Sequence, residues 1–317
     1  MSPLRTVVAG ALLGVVALAG CGQTDETSGA APAATPTGAT SAAASAFPVT
    51  VQAGNGAVTI ATRPERIVSL SPTATETLYA LGAGSQVTAV DDQSNYPADA
   101  PKTALSGFKP NVEAIAAAKP DLVVLSNDID GVVAGLAKVG VPVLVEPAAN
   151  TLDEAYDEIT DLGAATGNAE KATEIVTGMK RELDQLAAAA PKDKKLTYYH
   201  ELDTTPYAAT SSTFLGQIYG LFGLVNVADE APDAAGGYPK LSAEFVAKAD
   251  PALIFLGDTK CCGQNKDALA KRPGWSELSA IKNDAVIELD DDIASRWGPR
   301  VVDLARTVGE AVQKAAS

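Results

Sequence analysis

The sequence predicts an α/β protein of two doubly wound lobes, each built on a central, mainly parallel sheet, joined by one long helix. Three observations predict it. Short apolar runs alternate with helical stretches from Ile67 to Val145, and again from Leu196 to Leu289. Between them, Glu170–Ala190 is rich in Ala, Glu, Lys and Leu, places its apolar residues near helical spacing and stops at Pro191, so it reads as one long helix. Finally, Val112–Leu125 (VEAIAAAKPDLVVL) matches Ala243–Leu256 (AEFVAKADPALIFL) at a constant offset of 131 residues. Each copy follows a residue able to cap a helix, Asn111 or Ser242, and reads as a short helix, a proline and a buried strand. Any helix–Pro–strand unit looks broadly like this, so convergence is the plain alternative. Two such units on opposite sides of a long helix favour similarly built lobes with a cleft between them, where ligands usually bind.

The elements follow in order. Residues 1–20 hold one basic residue, Arg5, then an apolar run from Val7 to Ala19 that is short for a bilayer and is followed by small residues. That is the pattern of a secretory signal. It ends Leu18-Ala19-Gly20-Cys21, which resembles the lipobox of bacterial lipoproteins and implies cleavage before Cys21 and lipidation of its thiol. An ordinary signal peptide is the alternative. Residues 21–46 then give a tether: after Cys21 nothing apolar exceeds Ala, so the segment cannot offset its ordering entropy, and its reach is roughly 25–30 Å. The body divides into an N-terminal lobe over 47–150, linker helices over 151–192 and a C-terminal lobe over 193–317. A hairpin over Val49–Gln52 and Ala57–Ile60 turns at Gly54-Asn55-Gly56. Strands follow at Ile67–Leu70, Gln86–Val90, Leu122–Leu125 and Val143–Val145, with helices at Thr73–Leu81, Val112–Ala118 and Val132–Val139. After the linker come Leu196–Tyr199, Phe214–Phe222, Leu253–Leu256, Val286–Leu289 and a closing helix, Arg300–Ala316.

Composition narrows the function. The net charge of −15 and pI near 4.5 argue against nucleic acid, whose phosphates demand Lys and Arg. There is no Gly-x-Ser-x-Gly, no phosphate loop and no pair of histidines spaced for a metal, so neither catalysis nor a resident metal or cofactor is expected. Gly82-Ala83-Gly84 runs from helix to strand, the wrong sense for a dinucleotide loop. Beyond Cys21 the only cysteines are Cys261 and Cys262. In an oxidising exterior their nearest partners are each other, which suggests a strained vicinal disulfide; two free thiols or a soft-metal contact are the alternatives.

Taken together, Arg66–Glu76 (RIVSLSPTATE), Ser94–Pro97 (SNYP), Lys119–Val123 (KPDLV) and Arg296–Arg300 (RWGPR) resemble the substrate-binding proteins of ABC importers whose lobes are joined by a rigid helix. The resemblance covers essentially all of 47–317. It implies a monomeric lipoprotein on the outer face of the cytoplasmic membrane that binds a cobalt or iron chelate, a cobalamin or a ferric siderophore, and delivers it to the permease subunits. Haem is the alternative ligand, and a surface interaction module the alternative role. It also implies that Glu113 and Glu244, the aligned pair of the repeat, dock on arginines of the permease through both lobes; their plain alternative is solvated helix glutamates. The ligand-binding residues it implies are Gln93, Tyr96, Phe108 and Asn127 from the first lobe. From the second they are His200 or Glu201, Tyr238, Asp292 and Arg296, with Trp297 adjacent. Gln93, Phe108 and Tyr238 depart from the aromatics and tryptophans of the cobalamin binders, and there is no Arg cluster for a highly anionic chelate. His200, the sole histidine, fits either a haem ligand or a packed core residue.

Overall fold

A computed structural model describes residues 47–317; the expected signal over 1–20, Cys21 and the tether to residue 46 lie outside the described residues. The body opens with the antiparallel hairpin β1 (Val49–Ala53) and β2 (Gly56–Ile60), where Gly56 takes φ +97°. Asn55 at its tip donates to Val143 O and accepts from Val145 N, at 3.0 and 3.1 Å, and so covers a sheet edge.

The first sheet holds β3 (Ile67–Leu70), β4 (Val87–Val90), β5 (Leu122–Leu125) and β6 (Val143–Val145), all parallel in the order β4-β3-β5-β6. Crossovers α1 (Pro72–Ala80), α2 (Val112–Ala117) and α3 (Val132–Ala137) cover its faces. Every residue of β3, β5 and β6 is buried, which is why β5 and β6 read as continuous apolar runs and β3 as one broken only by Ser69. Ser71 caps α1 and Pro72 fills its first position, so the helix starts one residue before the sequence placed it.

Two helices follow, α4 (Leu152–Thr166) and α5 (Ala169–Ala189), separated by Gly167 in the left-handed region. They pack so closely that a Cβ on Gly163 would sit 2.4 Å from Ala172 Cβ. The second sheet holds β7 (Thr197–Glu201), β8 (Val225–Asn226), β9 (Leu253–Leu256) and β10 (Val286–Glu288), again parallel, in the order β10-β9-β7-β8. Around it lie α6 (Phe214–Leu221), α7 (Ala243–Ala249), α8 (Thr259–Cys262), α9 (Lys266–Ala270), α10 (Ser279–Lys282), α11 (Asp291–Ala294) and α12 (Val301–Ala316).

Read outward from the first strand of each sheet, the two orders are the same. Ser69 pairs with Val124 and His200 with Phe255, and each residue lies 131 positions from its counterpart. The repeat therefore extends from one helix–strand unit to the whole lobe. The outer face of each sheet has its own core, around Val123 and Leu136 in one lobe and Tyr199 and Trp275 in the other. The inner faces share one. Its buried residues run from Ile67 and Leu122 through Tyr156, Leu162 and Met179 of the linking helices to Tyr198, Phe255 and Val308. Each such side chain stabilises the assembly by about 1.5–3 kcal/mol, so the lobes are held by hydrocarbon as well as by the helix. Among the described residues no helix is long and apolar enough to cross a membrane.

Candidate ligand cleft

Parallel strands deliver their C-terminal ends to a common crevice. Ser71 after β3, Asp91 and Gln93 after β4 and Asn127 after β5 meet Phe108 there, and the second lobe closes the space with Asp292, Arg296 and Trp297. The cavity holds about 360 Å³. A second one, about 290 Å³, is lined by Ala148 and Ala149, by His200, Tyr238 and Gly257, and by Arg296 and Trp297. Ser295, Arg296 and Trp297 are walls of both, so the two are chambers of one cleft. A larger space of about 610 Å³ opens at the opposite edge of the second sheet, among strand-start residues such as Leu253 and Val286, and contains no aromatic side chain.

Two large rings stand uncovered in the cleft, one from each lobe: Phe108 is 70% exposed and Tyr238 54%. Water-facing apolar area of this kind marks a binding surface. The Phe108 loop crosses the ends of the strands because residue 107 is glycine; a Cβ there would lie 2.6 Å from Leu70 O and 3.0 Å from Asp91 Oδ2. Asp91 is itself buried against Ser94, whose hydroxyl donates to Oδ1 at 2.5 Å, and burial raises its pKa. Trp297 is held by its indole N–H, which donates to Glu158 Oε2 of α4 at 2.7 Å.

The cleft's charges are mostly spent on holding the lobes together. Buried Glu76 of α1 accepts from Arg296 Nη1 at 2.5 Å and from Arg300 Nε and Nη2 at 2.7 and 2.5 Å. Arg296 also donates to Gln93 O at 3.2 Å and to Asp292 Oδ1 at 2.8 Å. Asn95 donates to Asp292 Oδ2 at 3.0 Å, and Lys260 bridges Asp290 and Asp292. Forked guanidinium donors on a fully enclosed carboxylate satisfy its acceptor sites, which a buried charge requires. The sequence motifs contained Glu76, Arg296 and Arg300, but not the fact that they meet.

The structure thus brings together Gln93, Phe108, Asn127, Asp292, Arg296 and Trp297 around one chamber and His200, Tyr238, Arg296 and Trp297 around the other. Tyr96 lines neither; it lies half exposed under the guanidinium of Arg300, 4.1 Å from its ring centroid. His200 is fully enclosed, with Nδ1 2.7 Å from the Tyr219 hydroxyl, and burial lowers its pKa to about 4. Among the described residues its Nε2 has no partner, and a Cβ on Gly257 would lie 3.1 Å from it. Glu201 is a correction to the sequence reading. Strand alternation turns it away from the face that carries His200, and Arg272 holds both its oxygens, at 2.6 and 2.5 Å, with a further bond from Tyr199 OH. It is completely enclosed and lines neither chamber.

Cys261 and Cys262 form a vicinal disulfide in exposed α8, outside both chambers, and the N-terminal amides of that helix donate to Asp291. Glu113 and Glu244 are exposed at the second position of α2 and α7, after caps that bond Ala114 N and Phe245 N at 2.8 and 3.0 Å. Each helix precedes, and runs against, a strand that ends in the cleft, so both glutamates lie at the cleft end of their own lobe.

This geometry has counterparts. Residues 67–293 match the model of the periplasmic binding protein family. The uncharacterised ABC transporter substrate-binding lipoprotein YvrC of Bacillus subtilis is 32% identical over 95% of this chain and 94% of its own. The fold superposes on the periplasmic vitamin B12 binding protein of Vibrio cholerae with a TM-score of 0.65 and 27% identity, covering 80% of this chain and 98% of that one. It also superposes on a Staphylococcus epidermidis protein described as possible iron-binding, periplasmic solute-binding, with a TM-score of 0.69, 28% identity and coverage of 79% and 99%. Two matching lobes, a shared core and a cleft at the strand ends agree with those likenesses: the chain belongs to the periplasmic binding protein family.

Proposed function

We propose that this protein is the cargo-binding component of an ABC importer, tethered outside the cytoplasmic membrane by a lipid on Cys21, and that its cargo is a metal chelate, a corrinoid before others. The observation that carries the proposal is the pair of uncovered rings, Phe108 and Tyr238, facing a cleft from opposite lobes with Trp297 between its chambers. Rings at the mouth of a cleft suit a broad, rigid ligand, because they offer area at little cost in side-chain entropy. The cleft's guanidinium is already paired with Glu76 and Asp292, which suits a ligand of low charge. The vitamin B12 binding protein of Vibrio cholerae supports the corrinoid; the Staphylococcus relative supports an iron chelate as the second candidate. Enclosure of His200 speaks against haem held by that nitrogen. Glu113 and Glu244 are the docking carboxylates of this reading.

The test is thermal-shift and calorimetric titration of the protein with cyanocobalamin, a ferric hydroxamate and haem. Cyanocobalamin is expected to stabilise by about 2.7 kcal/mol at a hundredfold excess over Kd. Phe108→Ala and Tyr238→Ala should each weaken binding by about tenfold or more, as loss of a buried ring does. No response to any of the three, or an affinity in both variants equal to the parent's, would overturn the assignment.

A further inference from the structure

Behind the cleft lies a second kind of cavity, about 320 Å³, between the hairpin tip at Gln52–Gly54, the chain after β6 and one face of α4. Five carboxylates line it, Glu146, Glu154, Asp157, Glu158 and Asp161, and among the described residues no Lys, Arg or His does. The four on α4 follow an i, i+3, i+4, i+7 spacing and so share a face, where like charges repel. None of the five takes part in an ion pair among the described residues. Two have local duties: Glu154 accepts from Asn150 N at 2.6 Å, while its own N–H donates to the capping Thr151 at 3.1 Å, and Glu158 accepts from Trp297. Glu146 has none. It is 4% exposed, and its Oε1 is buried with no hydrogen-bond partner among the described residues.

We infer that this cavity is a binding site for a hard divalent cation that keeps part of its water shell, with Glu146, Glu158 and Asp161 as its anionic walls. Carboxylate oxygens without nitrogen or sulfur donors select ions of the calcium and magnesium class. No three such side chains already stand at coordination distance among the described residues, and the space exceeds a bare ion, so bridging waters complete the shell. Ala148 and Ala149 separate this cavity from the Tyr238 chamber. Glu158 already accepts the indole N–H of Trp297, so an ion held against that carboxylate would also fix the ring that both ligand chambers share.

The experiment titrates EDTA-stripped protein at pH 8 with CaCl₂ and, separately, MgCl₂, reading tryptophan fluorescence and melting temperature against NaCl of equal ionic strength. One or both ions should give a saturable fluorescence change and a rise of several degrees in melting temperature. Glu146→Gln and Asp161→Asn should each weaken the ion at least tenfold, and Glu310→Gln on the exposed side of α12 should not. Should Glu146→Gln fold poorly, Asp161→Asn carries the comparison alone. The inference falls if NaCl matches the effect, if neither ion acts, or if the folded variants respond as the parent does.

Discussion

The carboxylate of Glu76 accepts three hydrogen bonds from two guanidiniums of the other lobe, and all of these groups are largely removed from water. Glu76→Gln keeps the volume but leaves Arg296 and Arg300 without their shared counter-charge. A cost of about 3–5 kcal/mol is expected, measurable as a lower urea midpoint. Exposed Glu174, paired with Lys171 on α5, should cost less than about 1 kcal/mol when changed to Gln. This contrast also shows what single residues concealed. Arg296 and Glu76 stood in separate motifs 220 positions apart, and no local pattern encodes a bond at that distance. Glu201 was misassigned because the sequence does not say which face of β7 meets the cleft; only the pairing of β7 with its neighbours decides that. Glu146 drew no notice because a lone carboxylate after a strand looks solvated until the hairpin and α4 close over it.

The helix starts at α2 and α7 carry the docking prediction. Each presents its glutamate in the first turn, where the helix dipole favours a negative charge by about 0.3–1 kcal/mol. Glu113→Lys with Glu244→Lys should therefore lower stability only modestly. Import into cells should stop while the affinity of the soluble protein for its ligand stays the same; uptake assays beside calorimetry separate the two. Elements of this kind were legible. Strands β3, β5, β6 and β9 appear at the predicted residues because strands buried on both faces are apolar runs, broken here only by Ser69 of β3. The long helix, expected over 170–190, spans Ala169–Ala189. The helices α8 to α11 and the two-residue β8 were not legible, since four or five residues are too few to show a period.

For the molecule as a whole, the titrating groups set a pH window. Glu146 and Glu158 keep protons to about pH 8 when folded and release them near about pH 4.3 when unfolded. The folded state binds the extra protons in between, so stability falls as pH rises through that range and levels off above it. His200 acts in the other direction. Held neutral down to about pH 4, it lets the unfolded chain take up a proton first, and stability falls as pH drops below about 6.5. Only the carboxylates remain active above that point. In the absence of divalent ions, the free energy of unfolding is expected to fall between pH 6.5 and 8 by about 1.4 kcal/mol per pH unit for each group, and the melting temperature with it. Glu146→Gln should flatten that arm in a calorimetric pH series; an unchanged slope would contradict it.

The apolar core that passes unbroken from one sheet through α4 and α5 to the other has an energetic corollary. Swinging one jaw outward would strip hydrocarbon of its neighbours and draw two arginines off their carboxylate. A receptacle built this way surrenders little disorder when it captures cargo, and thermal breathing does little to empty it. Whatever unloads it must do mechanical work on both jaws at once.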